Sequence, residues 1–303
     1  MRVVAALGGN ALLERGEPPD SGIQQGHITS AVAALAPVAR DHELIITHGN
    51  GPQVGLLAME SARDPALTRP YPFDVLGAQT QGMIGYWLVQ ALQNALPGRL
   101  AGCLICRTLV AADDPAFSHP VKFVGPVYDA ATARELAARY DWQVRQDGAA
   151  WRRVVPSPEP VELLDLPLIR ALLAAGAIVV CSGGGGVPVA RDSAGTLRGV
   201  EAVVDKDLTA ALLARLVRAE ALLLLTDVES VQENFGTDHA QPIHLATPGE
   251  LRARPFPAGS MGPKVDAACR FAEATGAMAA IGRLDDAEAL LQRKAGTIVA
   301  SQP

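Results

Sequence analysis

Lysine is scarce in this chain. Of its 26 basic residues, 22 are arginine and four are lysine, in 303 residues with a net charge of −6. An acidic chain is a poor general binder of nucleic acid or of an anionic membrane, whose phosphates call for a basic face. Any anionic ligand must therefore be held by a local concentration of donors. Long apolar runs are also missing. Nothing approaches the roughly eighteen residues of a membrane span, and the short run Val3–Leu7 lacks the length and cleavage site of a secretory signal. A cytoplasmic location is the expectation. Four cysteines at this length do not make a disulfide framework. Cys103 and Cys106 have C-x-x-C spacing, but Leu100–Val110 reads as one strand, and residues three apart on a strand face opposite ways. Buried, reduced thiols are expected. No clustered His/Cys set for a transition metal is visible. G-x-x-x-x-G-K-[ST], H-R-D and D-F-G are all absent, which excludes the P-loop and protein-kinase mechanisms.

What is present is an alternation of apolar runs with helical patterns. Strands are expected at Val3–Leu7, Leu44–Thr47, Leu100–Val110, Ala177–Cys181, Ala221–Thr226, Ala277–Ile281 and Thr297–Ala300. Helices are expected near Ile28–Arg40, Gln79–Leu96, Leu168–Ala175, Asp207–Leu216, Lys264–Thr275 and Asp286–Lys294. Continuously apolar strands between helices imply a mainly parallel sheet covered on both faces. The fold class is α/β, an open three-layer αβα sandwich. Ala112–Arg153 is too long for an ordinary connection and reads as a small inserted subdomain with a helix at Ala130–Tyr140. Length suggests roughly two lobes, divided near the glycine run at 183–186: residues 1–186 and 187–303.

Three strands run into glycine turns: Gly8-Gly9-Asn10, His48-Gly49-Asn50-Gly51-Pro52 and Ser182 followed by Gly183–Gly186. In open α/β sheets, ligands bind beyond the carboxyl ends of strands. Glycine there lets backbone N–H groups approach an anion, and a following helix N-terminus adds positive potential. Gly49–Gly55 resembles a dinucleotide fingerprint only loosely. Asp74 is a loose candidate for its acidic residue, in a Pro-rich stretch that does not read as a strand end.

Three of the four lysines stand in distinctive turns. Lys122 lies in the insertion, Lys206 between Asp205 and Asp207 before a helix, and Lys264 after Gly262-Pro263 at a helix start. Lys294 ends a helix, where a cation suits the dipole. A compact ammonium can follow a migrating phosphoryl group in a way a planar guanidinium cannot. For Lys206 two readings stay open: a local ion pair, or one carboxylate orienting ammonium groups while the other helps place magnesium or a hydroxyl. His48 reads as a loop-structuring residue more than a proton carrier.

Taken together, these stretches resemble the carbamate kinases of the amino acid kinase superfamily. The matching segments are Ala6–Ala11, Thr47–Gly55, Thr80–Trp87, Lys122 with Gly125-Pro126, Trp151–Pro158, Gly183–Gly186 with Pro188-Val189, Gly199–Asp207 and Ser260–Lys264. The resemblance implies the amino acid kinase fold, a homodimer, and reversible phosphoryl transfer between ATP and carbamate, giving ADP and carbamoyl phosphate. It places carbamate or carbamoyl phosphate in the first lobe, at Gly8, Gly9, Asn10, Gly49, Asn50 and Gly51. It places the nucleotide in the second, with Gly184, Thr226, Asp227, Val228 and Met261. Lys206 and Lys264 would stabilise the transferring group, Asp207 would orient them, and Lys122 would reach in from a lid at about 112–153. Mg²⁺ would be carried by the nucleotide phosphates, with no metal ligand from the protein. After Val228 the chain departs from the family, with Gln232 and Glu233 at positions expected to be less polar.

Overall fold

The computed structural model describes residues 1–14, 16–257 and 260–301; the side chains of Asn10 and Pro126 lie outside that description. Its main sheet has eight strands: β1 (Arg2–Leu7), β2 (Glu43–His48), β3 (Ala101–Cys103), β4 (Ile178–Val180), β5 (Ala221–Thr226), β6 (Leu245–Ala246), β7 (Met278–Arg283) and β8 (Thr297–Val299). Their order is β6-β8-β7-β5-β1-β2-β4-β3. Neighbours run parallel except β7 and β8. The central strand β1 pairs with β2 on one side and β5 on the other, so both halves of the chain share one sheet.

The central parts of β1 and β5, Val3–Leu7 and Ala221–Leu225, are apolar at every position because both faces are covered. On β1 and β5, Val4, Ala6, Leu222 and Leu224 point to one core, and Val3, Ala5, Leu7, Leu223 and Leu225 to the other. The first core is closed by helices α5 (Leu166–Ala174), α6 (Lys206–Leu216), α7 (Pro248–Arg252) and α8 (Met261–Thr275). The second is closed by α1 (Ser21–Asp41), α3 (Phe73–Ala95) and α9 (Ala287–Leu291). This is the expected three-layer sandwich. Leu224 is fully buried, and truncating such a leucine to alanine costs about 2–5 kcal/mol.

The expected strand Leu100–Val110 is broken. Ala101–Cys103 belongs to the main sheet, whereas Arg107–Leu109 joins a separate four-stranded sheet. The cause is Gln81, a buried residue of α3. Its Oε1 accepts from Cys106 N at 2.9 Å and its Nε2 donates to Cys106 O at 3.2 Å, replacing a strand neighbour and turning the chain. The opposite-face argument for Cys103 and Cys106 therefore does not apply, although all four cysteines are free thiols. Helix α3 begins at Phe73, six positions before the expected Gln79, so Asp74 stands in its first turn. The Glu201 carboxylate accepts from Phe73 N at 2.8 Å and caps the helix from outside. An additional helix, α2 (Gly51–Arg63), follows β2.

The insertion folds as a three-stranded antiparallel sheet (Lys122–Tyr128, Ala150–Val155, Gln143–Asp147) with α4 (Ala130–Tyr140). It rests on α2, where Tyr140 Oη donates to Ala62 O at 2.8 Å. Arg153 is stacked 4.2 Å from the Trp142 ring centroid and 4.7 Å from that of Phe73. The same guanidinium meets Glu201 at 2.5 Å. Among the described residues, no helix is long and apolar enough to cross a membrane.

Candidate functional site

The site is built where β1, β2 and β4 end. Gly8 N donates to Leu225 O and Gly49 N to Leu7 O, both at 2.9 Å, so the first two glycine turns lie side by side at the sheet's carboxyl edge. A Cβ on Gly49 would fall 2.8 Å from Gly9 N; nothing larger than glycine lets these backbones meet. Gly9, Asn10 and Ala11 form one 3-10 turn.

Asn50 precedes α2 but does not cap it. Its Nδ2 donates to Thr80 Oγ1 at 2.9 Å instead. Gly184, with φ +63°, packs against that amide, and a Cβ there would lie 2.2 Å from Nδ2. The third turn thereby joins the first two. Gly185 O accepts from Thr108 Oγ1 at 2.8 Å and from Thr209 Oγ1 on α6 at 3.1 Å, which ties this turn to the helix bearing the lysine.

Helix α6 starts with Asp205 as N-cap, its Oδ1 accepting from Asp207 N at 2.9 Å and Leu208 N at 3.3 Å. Behind it, Asp207 receives Lys206 Nζ at 2.5 Å on one oxygen and Lys264 Nζ, from α8, at 3.1 Å on the other. Lys122 Nζ lies 3.1 Å from Asp205 Oδ2. Three lysines far apart in sequence are thus gathered by two carboxylates, leaving one positive charge in excess. Asp207 is the residue that holds two ammonium groups, and Asp205 takes the third.

Burial sets the electrostatics. It would raise the Asp207 carboxyl, but the ammonium groups of Lys206 and Lys264 outweigh it and hold the group at about 2. Burial pushes the Lys206 ammonium below the usual lysine range, against the pull of Asp207. His48 is 1% exposed, and burial lowers it to about 4. Its Nδ1 donates to Gly49 O at 2.9 Å, which makes it a neutral brace for the second turn.

Thr226 follows at the end of β5, with its Cα close to where a Gly8 Cβ would stand. Thr226 Oγ1 donates to Asp227 Oδ1 at 3.0 Å, and Val228 is half-buried beside them. Met261 opens α8 and packs on the first core. Gly184, grouped with these by the resemblance, packs against Asn50. Gln232 and Glu233 stand on the short strand Val231–Glu233, where Glu233 meets Arg254 at 3.3 Å, so its charge is paired. Sequence reasoning gave no role to Thr80, Thr108 or Thr209. Their hydroxyls work through long-range bonds that spacing does not reveal.

Residues 1–282 match the model of the amino acid kinase family, and the chain belongs to that family. It is 52% identical over 306 residues to the carbamate kinase of Rhizobium meliloti (strain 1021), covering 99% of this chain and 94% of that one. Identity to the carbamate kinase of Escherichia coli (strain K12) is 48% over 297 residues, with 98% of each chain covered. Within the family, the chain falls among the carbamate kinases. Among solved structures, carbamate kinase from Giardia lamblia bound to AMP-PNP matches with TM-score 0.91 and 35% identity, covering 99% of this chain and 98% of that one. A structure from Aeropyrum pernix K1 matches with TM-score 0.93 and 42% identity, covering 99% of both.

Proposed function

We propose that this protein catalyses ATP + carbamate = ADP + carbamoyl phosphate, in the cell running toward ATP. The observation that carries the reading is the gathering of Lys122, Lys206 and Lys264 by Asp205 and Asp207 in a chain with four lysines. Phosphoryl transfer is mostly positioning and charge stabilisation. Carbamate oxygen is already ionised, so no general base is required.

In this reading the backbone of Gly8, Gly9, Gly49 and Gly51, with Asn10 and Asn50, receives carbamate or the transferring group. Lys206 and Lys264 neutralise charge on the phosphoryl oxygens while Asp207 fixes their position. Lys122 reaches in from the insertion. Thr226, Asp227, Val228 and Met261, with Gly184 nearer Asn50, line the way to the nucleotide.

Asp205 and Asp207 both accept from ammonium groups, and no three His, Cys, Asp or Glu among the described residues are placed to hold a metal. That donor set fits Mg²⁺ arriving on the nucleotide phosphates with water completing its shell. Once bound, the ion would neutralise phosphate charge. The free edge strand β3 is flanked by exposed Leu100 and Ile105, with Tyr86 exposed on α3. Such an edge and apolar side chains support a homodimer, and sedimentation equilibrium would test it. Free thiols at all four cysteines suit a reducing compartment such as the cytoplasm.

The deciding assay is ATP formation from ADP, Mg²⁺ and carbamoyl phosphate, with acetyl phosphate and N-acetylglutamyl phosphate as controls. Turnover with carbamoyl phosphate far above both controls is expected. Preference for either control would move the protein to another small-carboxylate kinase of the family.

A further inference from the structure

The two aspartates flanking Lys206 are not equivalent. Asp207 has a side chain only 5% exposed and is locked by two ammonium groups from α6 and α8. The Asp205 side chain is 19% exposed; it feels the nearby Lys206 charge, but among the described residues the ammonium it hydrogen-bonds is that of Lys122, 29% exposed. Asp205 also divides its work between its oxygens. Oδ1 caps α6, and Oδ2 alone accepts from Lys122. Lys122 can therefore leave without disturbing the cap or the helix that positions Lys206 and Asp207.

We propose that Asp205 is a positioning residue that holds the Lys122 ammonium while no anion is bound and surrenders it to the anion that enters. The inference rests on the reading of this site as one for phosphorylated anions and adds a competition inside it. Partly exposed ion pairs are weak, so release costs little, and a phosphate or sulfate dianion offers the ammonium more charge than one carboxylate does. The buried pairs on Asp207 are not exchangeable in this way, because an ammonium left there without its partner would be buried and uncompensated. Asp205 thus acts as an internal competitor. A ligand with too little charge to outbid it leaves Lys122 where it is, which favours dianions over monoanions.

Asparagine is as good an N-cap as aspartate, so Asp205→Asn removes the competing charge and keeps the helix start. The test is calorimetric titration with sodium sulfate, a dianion, of the parent, Asp205→Asn, Lys122→Ala and the double variant. Asp205→Asn is expected to tighten sulfate about two- to fivefold. Lys122→Ala is expected to weaken it, and Asp205→Asn to change nothing further once Lys122 is gone. Asp205→Ser, a second capping residue, should repeat the effect. Unchanged or weaker sulfate binding in both Asp205 variants overturns the proposal. So does an equal change with and without Lys122, since a residue acting only as a cap would behave in that way. Assaying the parent with carbamoyl phosphate separates the two claims: failure there removes the proposed function, while the sulfate cycle still decides the role of Asp205.

Discussion

Lys264 and Asp207 lie on two different helices, α8 and α6, and meet at 3.1 Å at a carboxylate that also receives Lys206 at 2.5 Å. On the proposed mechanism, the pairing couples catalysis to stability unequally. With either lysine replaced by alanine, Asp207 keeps one partner and the fold stays intact, whereas the loss of a transition-state donor costs about 2.7–4 kcal/mol, or 10²–10³ in turnover. Asp207→Ala leaves two buried ammonium groups without their carboxylate and should also destabilise the fold by about 3–5 kcal/mol. Turnover and urea unfolding of the three variants check this. Parent-like turnover in both lysine variants would remove them from the mechanism.

Gly184→Ala places a methyl 2.2 Å from the Asn50 amide nitrogen, at a residue with φ +63°. The amide must move off Thr80, and the alanine must hold a left-handed conformation at a cost of about 1–3 kcal/mol. A fall in turnover of at least tenfold is expected, with a lower melting temperature. A variant with parent kinetics would show that Asn50 does not depend on this turn.

His48 makes stability fall in mild acid. In the unfolded chain the imidazole takes a proton near 6.5; in the folded chain it does so only near 4. Between those values the unfolded state binds more protons, so stability is complete above about pH 6.5 and declines toward pH 4, by about 3 kcal/mol for this one group. Chemical denaturation at pH 7.5, 6 and 5 should give a shallower decline for His48→Asn than for the parent. Parallel curves would assign the acid sensitivity elsewhere.

The insertion should respond to ligand. On the lid reading, Lys122→Ala impairs use of carbamoyl phosphate more than binding of ADP, and carbamoyl phosphate slows hydrogen exchange across residues 112–153. Exchange that ignores the ligand, together with parent-like kinetics in Lys122→Ala, would leave the insertion without a catalytic part.

Chelation should abolish activity, and Mg²⁺ should restore it. A stoichiometric zinc on the purified protein, or full activity after exhaustive chelation, would contradict an ion carried by nucleotide phosphates.

The sandwich was legible because β1 and β5 are apolar at nearly every position and β2 through Leu44–Ile46, as a sheet covered on both faces requires. The lysines were legible because they are rare. What escaped was decided by side chains distant in sequence. The break after Cys103 depends on Gln81, 25 residues before Cys106, and the early start of α3 on Glu201, 128 residues after Phe73. The division of labour between Asp205 and Asp207 needed a lysine 83 positions before Asp205. No periodicity or local spacing encodes such pairings.

The pairing of β1 with β5, Val3 against Ala221, has a consequence for biosynthesis. One flank of the central strand has no partner until the ribosome has added more than two hundred further residues, which takes on the order of ten to forty seconds at usual elongation rates. Over that interval a nascent chain presents Val3, Val4, Ala5, Ala6 and Leu7 along an unpaired apolar edge, open to misassociation with other nascent chains. Ribosome-bound chains stalled before Ala221 should therefore recruit holding chaperones, and chains stalled well beyond Thr226 should release them.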